Sequence, residues 1–331
     1  LAGDAITTGT HNVAMGQAAG SAVTTGGSNV LIGANAGDAL TASYRNVAIG
    51  SGALTSDTLG ARTTAIGYGA LQTQNFTSGT YSYNVALGYD SGASITTGTR
   101  NTLIGSLAGD AITTGSDNVA FGYAALSSTT TSNDNTAVGD SALVSNTTGD
   151  SNTAIGKSSL AYHTTGTRNT ALGFQAGLSM ITGTNNTILG ARAGDALTDA
   201  DYNVAVGERA LSSDTKGSKN TAVGSLALSA QNHTSATDVY NVAVGFAAGE
   251  SSNALNNTLI GGIAGLALTS GNNNAALGRS ALQSNTTGSE NTALGAFAGQ
   301  SITTGANNIF IGYLAGSHNV STTTGIGNVI I

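Results

Sequence analysis

The sequence predicts an all-β protein: a single parallel β-solenoid, or β-roll, of about nineteen coils with a 17-residue repeat. Three observations predict it. A five-residue phrase, as in Asn169-Thr170-Ala171-Leu172-Gly173, returns along the whole chain. Its fifth place is glycine in all 18 copies that reach it. The residue at its third place changes in size with the residue six positions further on.

The phrase starts at residues 12, 29, 46, 63, 84, 101, 118, 135, 152, 169, 186, 203, 220, 241, 257, 274, 291, 308 and 328. Most intervals are 17, the exceptions being 21 (after 63 and after 220), 16 (after 241) and 20 (after 308). Thr63 stands where every other copy has asparagine. Helix is a poor alternative, because glycine and threonine are too frequent and no stripe of 3.6-residue period persists. A longer period sits above the coil: Gly37-Asp38-Ala39-Leu40-Thr41 returns as Gly194-Asp195-Ala196-Leu197-Thr198, 157 residues on. The expected organisation is one continuous repeat domain, 1–331, made of a duplicated nine-coil block (12–168 and 169–325) without a linker. Both ends fall inside a repeat, Leu1 to Gly9 matching Leu107 to Gly115, so the chain is expected to be a segment of a longer one.

With the asparagine counted as position 0, positions 1, 2 and 3 are apolar or β-branched, which suits a short strand with both faces covered. The glycine at position 4 (Gly16, Gly33, Gly50, Gly67, Gly156 and Gly173 among them) fits a corner where φ is positive or a Cβ would clash. A second corner is Thr-Thr-Gly or similar, as at Thr148-Gly149. Position 8 divides the coils into a Gly type (such as Gly37 and Gly109) and a Leu type (such as Leu54 and Leu143). Position 2 is usually alanine, but becomes Leu31, Leu103, Ile188, Leu259 or Phe310 only in Gly-type coils. Two positions that exchange volume fill one cavity, so 2 and 8 should both point inward, and Ala137→Leu should partly rescue Leu143→Gly. Position 11 follows suit: apolar in many Gly-type coils, polar (Asp57, Asn146, His163, Asp214, Asn285) in Leu-type coils. Side chains alternate along a strand, so 1 and 3 point outward. The large apolar residue at position 3 of every coil then needs a cover, and identical chains around a common axis are the simplest one.

Composition removes several functions. Net charge is −7 with ten basic residues, against the basic patch that nucleic acid requires. Cysteine is absent, so there is neither a disulfide nor a thiolate metal site. No apolar run approaches the roughly 18 residues of a membrane-spanning helix. Proline is absent as well, as a long ladder of backbone donors would favour.

Asn152-Thr153-Ala154-Ile155-Gly156 followed by Ser159, and Ala171-Leu172-Gly173 followed by Ala176, resemble the head repeats of trimeric autotransporter adhesins. Similar Asn-Thr-Ala-Ile-Gly arrays resemble the repeats of phage tail fibres. The resemblance covers essentially the whole chain. It implies a trimeric, left-handed parallel β-roll serving as a shaft or adhesive head. The repeat here is longer than the adhesin one, and the extra residues widen the second turn.

Candidate sites are few. The asparagines (Asn12, Asn29, Asn46, Asn84, Asn101, Asn118, Asn135, Asn152, Asn169, Asn186, Asn203 and Asn220 among them) suit a structural amide ladder between coils. His11, His163, His233 and His318 fall in separate coils, read as scattered surface residues rather than a metal site. Asp38, Asp110 and Asp195 follow glycine but lack the spacing of calcium-binding nonapeptides, and are expected as turn or surface carboxylates. Arg192 to Lys219, with Asp195, Asp199, Asp201, Glu208, Arg209, Asp214 and Lys216, is the one charge-dense stretch. A glycosidase-like carboxylate pair is conceivable there, but the better reading is a solvated, salt-bridged surface. The matching block holds Asp38, Arg45, Asp57 and Arg62, and no aromatic platform is expected beside either. Sequons occur at Asn75, Asn146, Asn185, Asn232, Asn256, Asn285 and Asn319. No catalytic, cofactor or metal residue is assigned. The functional expectation is a non-enzymatic fibre shaft or adhesive stalk of a cell-surface or virion appendage. It would be extracellular, partnered by identical chains (a homotrimer or fibril) and by a surface glycan or receptor, with no nucleic acid and no membrane insertion. The alternative is an ice- or glycan-binding solenoid acting through its Thr-rich face.

Overall fold

The computed structural model describes residues 1–317 and 324–331. His318, the Asn319 sequon and two turn threonines, Thr322 and Thr323, lie outside the described residues. The chain is a parallel β-solenoid, with no helix among the described residues. It divides into two units, Leu1–Thr167 and Arg168–Ile331, close to where the duplication divides the sequence.

Unit 1 carries β1 (Val13–Met15), β2 (Val30–Ile32), β3 (Val47–Ile49), β4 (Thr64–Ile66), β5 (Val85–Leu87), β6 (Thr102–Ile104), β7 (Val119–Phe121), β8 (Thr136–Val138) and β9 (Thr153–Ile155). Each pairs in parallel with the next, in register by the repeat: Val13 with Val30, Ala14 with Leu31, Met15 with Ile32. Unit 2 carries β10 (Thr170–Leu172), β11 (Thr187–Leu189), β12 (Val204–Val206), β13 (Gly217–Ser218), β14 (Thr221–Val223), β15 (Thr237–Asp238) and β16 (Val242–Val244). It continues with β17 (Thr258–Ile260), β18 (Ala275–Leu277), β19 (Thr292–Leu294), β20 (Ile309–Ile311) and β21 (Val329–Ile330). Its 21-residue coil is bridged directly, β14 pairing β16, while β15 near the end of that coil pairs with β13 of the coil before it.

In each three-residue strand after β1 the middle residue is buried and its neighbours are half-buried or exposed, as alternation requires. At position 4 the chain turns with φ between +118° and +146°, a region open to glycine alone. A Cβ on Gly33 would also lie 2.5 Å from the Gly50 carbonyl oxygen of the next coil. Torsion and close approach thus each demand glycine there. Hydrogen bonds between coils continue past the strands: Gly33 N donates to Met15 O at 2.8 Å, Asn35 N to Gln17 O at 2.8 Å, and Gly37 N to Ala53 O at 2.9 Å. The turns therefore leave few backbone groups unpaired.

The interior follows a volume rule that spans two coils. Away from the first and last coils, positions 2, 7, 8 and 11 are buried. A Cβ on Gly37 would stand 2.8 Å from both Leu31 Cδ2 and Leu40 Cδ1, so the missing side chain is the room those two occupy. Leu31 also reaches into the preceding coil, 2.6 Å from a Cβ built on Gly20. Leu103 stands in the same way between Gly92 and Gly109, Leu259 between Gly249 and Gly265, and Phe310 between Gly299 and Gly316. Among the coils that contain both positions 2 and 8, Gly-type coils accordingly come in consecutive pairs, with the bulky position-2 residue in the second coil. In Leu-type coils the leucine fills the space itself, although φ at position 8 stays left-handed, +49° to +55°. That conformation costs a leucine roughly 1–2 kcal/mol, which its complete burial more than offsets.

The pair rule corrects the expected rescue of Leu143→Gly. Removing this leucine should cost about 2–5 kcal/mol. Ala137→Leu alone should recover little, because the new side chain meets Leu126 of the preceding coil. The triple variant with Leu126→Gly should recover more than the double. Urea midpoints of the three proteins check this, and equal midpoints for double and triple would refute the pair rule.

Candidate functional site

The asparagines form a column of amides inside each unit. Asn29 donates its backbone N to Asn12 Oδ1 at 3.0 Å and its Nδ2 to the same oxygen at 3.1 Å, while Nδ2 also reaches Ser43 O at 2.9 Å. Asn46, Asn101, Asn118, Asn135 and Asn152 donate their backbone N to the preceding asparagine oxygen in the same way, as do Asn186, Asn203 and Asn220 in unit 2; for Asn84 that place is taken by Ser82 Oγ. Asn12, Asn84 and Asn169 bind the second corner of their own coil through Nδ2, at Gly26 O, Gly98 O and Gly183 O. The amides thus tie three things together: the strand entry, the second corner and the neighbouring coil. Gly16, Gly33, Gly50, Gly67, Gly156 and Gly173 lie at the opposite end of the strand, with φ from +124° to +141°.

Thr63, the one departure, donates its backbone N to Asn46 Oδ1 at 3.0 Å. It offers no amide oxygen to the next coil, and Ser82 Oγ accepts from Asn84 N at 3.3 Å instead. Beside it Gln74 bridges the coils, accepting from Asn84 Nδ2 at 2.8 Å and donating to Asp57 Oδ2 at 2.7 Å. Unit 2 repeats this bridge, with Gln231 between Asp214 and Asn241.

Several polar residues expected on the surface are in the interior. Asp57 and Asp214 are both fully buried. Asp57 Oδ1 accepts from Gly60 N and Phe76 N, each at 3.0 Å, and Asp214 Oδ1 accepts from Gly217 N and His233 N. The reading of Arg192 to Lys219 as solvated therefore fails at Asp214, though Lys216 and Asp199 do form an exposed pair at 3.4 Å. Burial pushes the Asp57 carboxyl above the usual range, against the pull of its N–H donors. Asn146 and Asn285 are buried too, each bound through both amide atoms to the glycine three residues on. Their sequons are closed to glycosylation in the folded protein. Asp110 and Asp195 sit half-buried, and burial raises both.

His163 is likewise buried, not a surface residue. Its Nε2 donates to Gly166 O at 2.8 Å, and its Nδ1 has no hydrogen-bond partner. Nδ1 therefore carries no proton, and burial lowers the pKa from its ordinary 6.5. A depressed histidine contributes stability that is complete above the unfolded value and is lost as pH falls below it toward the folded value. Unfolding free energy should thus start to drop as pH falls below the ordinary histidine value of 6.5. His163→Asn, copying Asn146, should remove that part of the drop, and an unchanged profile in the variant would refute the assignment.

No group of three or more histidine, aspartate or glutamate residues is placed to hold a metal among the described residues. The outward surface of each unit instead carries an apolar row. Met15 (60% exposed), Leu87, Phe121, Ile155, Leu172, Leu277, Leu294 and Ile311 stand open at position 3. Two positions further on, just past the corner, Tyr68, Tyr89, Tyr123, Phe174, Phe246 and Tyr313 are also exposed. Tyr68 and Tyr89 stack at 5.4 Å. No family model matches the chain, and no curated protein matches it.

Proposed function

We propose that the chain is a structural fibre shaft or adhesive stalk of a cell-surface or virion appendage, working without catalysis as a homotrimer of left-handed coils, like the adhesin and tail-fibre repeats it resembles. The apolar row carries this reading. A residue such as Met15 or Phe121 in every coil gives a stripe that grows with each repeat, and soluble monomers rarely tolerate large apolar patches. Sister chains packed around a common axis cover such a stripe along its whole length. The Thr-rich face supports an ice-binding role less well. Its hydroxyls are already used between coils, Thr41 Oγ1 donating to Thr58 O, Thr113 Oγ1 to Thr130 O and Thr286 Oγ1 to Thr303 O.

Light scattering on the parent and two variants tests the proposal. The parent should have three times the chain mass, and association should be close to obligate. Ile155→Asp would bury an uncompensated carboxylate in every subunit, each at a cost of several kcal/mol, and should lower the mass or loosen the assembly. Thr148→Asp, at an exposed turn, should leave it unchanged. A folded, monomeric parent would overturn the shaft reading.

A further inference from the structure

The two 21-residue coils carry matching surface clusters with opposite electrostatic outcomes. In unit 2, Lys219 Nζ lies 2.6 Å from Asp238 Oδ2 and 3.0 Å from the Tyr240 hydroxyl. The cluster neutralises itself. In unit 1 the corresponding residues, 157 earlier, are Arg62, Tyr81 and Tyr83: the acid has become a tyrosine. Arg62 lies 4.2 Å from the centre of the Tyr81 ring and donates Nη1 to the Tyr83 hydroxyl at 2.7 Å. An aromatic platform thus stands beside the arginines of this block, contrary to the sequence expectation. The lengthened coil delivers it, setting residues 19 and 21 positions downstream against Arg62.

These groups border a cleft of about 250 Å³ lined by Ser28, Tyr44, Arg45, Ala61, Arg62 and Tyr81. Its shape follows from the ladder. Tyr44 bridges Gly27 of the preceding coil, Tyr81 bridges Ala61, and Arg62 N donates to Tyr44 O at 3.1 Å. Tyr44, Ala61 and Tyr81 therefore occupy three successive rungs, and the small middle residue leaves a gap between two rings. Arg45 and Arg62 stand on neighbouring rungs, so like charges lie close without a carboxylate in the lining. Among the described residues neither arginine forms an ion pair. The same column balances its charge elsewhere, where Arg100 grips Asp117 through two bonds of 2.6 and 2.7 Å.

We propose that this cleft binds a carboxylate-bearing sugar, a hexuronate unit of an acidic polysaccharide. Two guanidiniums match a planar carboxylate through paired N–H donors. Arg62 is held beforehand by Tyr81 and Tyr83, which lowers the ordering cost of binding. Tyr44, 51% exposed, offers an aromatic face to the apolar side of a sugar ring, and Ser28 a hydroxyl. A neutral sugar fits poorly, because no acid or amide lines the cleft to accept from its hydroxyls. The volume lies below the roughly 300–1,000 Å³ of drug-sized ligand sites, the scale of one ring rather than a long chain.

Saturation-transfer NMR on the full chain, with glucuronate as probe and glucose beside it, tests the assignment. Glucuronate should bind with a dissociation constant on the order of millimolar and weaken with salt, while glucose at the same concentration gives no signal. Arg45→Gln and Arg62→Gln should each weaken binding about tenfold, Tyr44→Ala should reduce transfer to the ring protons, and Lys219→Gln should change nothing. Circular dichroism checks that each variant folds. No transfer from glucuronate to the parent, equal binding of glucose, or loss of binding in Lys219→Gln would overturn the proposal. So would displacement by inorganic sulfate at concentrations well below that of glucuronate, which would mark a plain anion cradle.

Discussion

Replacing Gly50 with alanine should destabilise its part of unit 1 by about 2–6 kcal/mol, from two independent costs. The backbone there has φ of +133°, where a side chain is strained by roughly 1–3 kcal/mol. The new Cβ would also press on the Gly67 peptide of the next coil, its carbonyl carbon at 2.6 Å. Backbone cannot step aside as a flexible side chain can, so overpacking adds about 1–3 kcal/mol. Gly52→Ala is the matched control: φ is +68°, but only Gln72 Nε2 comes near, at 4.0 Å. The chain already places Ala18 and Ala124 in that torsion at the same position of other coils. Hydrogen exchange read coil by coil is the suitable measurement, since a repeat array can open locally. Equal protection around residues 50 and 52 in the two variants would show that close approach is not what excludes a side chain at position 4.

The second large effect is expected from Asn118→Ala. Asn118 Oδ1 accepts from Asn135 N at 3.1 Å and from Asn135 Nδ2 at 3.3 Å, while its own Nδ2 serves Ser132 O at 2.9 Å. Alanine would leave a buried N–H and a buried carbonyl short of a partner, each at about 1–3 kcal/mol. A total of about 2–6 kcal/mol is expected, with early exchange of the Asn135 amide as its local sign. A loss below 1 kcal/mol would mean that water or a neighbour replaces the amide. Thr63 shows what such a replacement takes. There a serine two residues before the next asparagine supplies the missing acceptor.

The solenoid was legible because its constraints repeat. The invariant glycine, the inward position 2 and the exchange of volume with position 8 recur often enough to be read from Leu31 and Gly37 alone. Asp57, His163 and Asp214 were not legible as interior residues. Polarity normally marks surface, and what permits their burial is a free backbone N–H or carbonyl at the second corner, which only the folded turn supplies. The left-handed leucines at position 8 were hidden for a related reason, since nothing in Leu54 or Leu143 announces a torsion that suits glycine better. The Arg62 cluster escaped because its tyrosines lie a full coil away, past an irregular insertion.

The pairing of Gly-type coils also sets how such a chain can change length over evolutionary time. A Leu-type coil, such as residues 135–151, packs its own leucine and can be spliced out singly, since Leu126 would then meet Ala154 as it now meets Ala137. A Gly-type coil has no such independence. Loss of residues 101–117 would take Leu103 away from Gly92 and leave a hollow that Ala120 is too small to fill. Residues 84–117 would have to go together. The grain of recombination is therefore one coil in some stretches and two in others, and a viable splice must respect it.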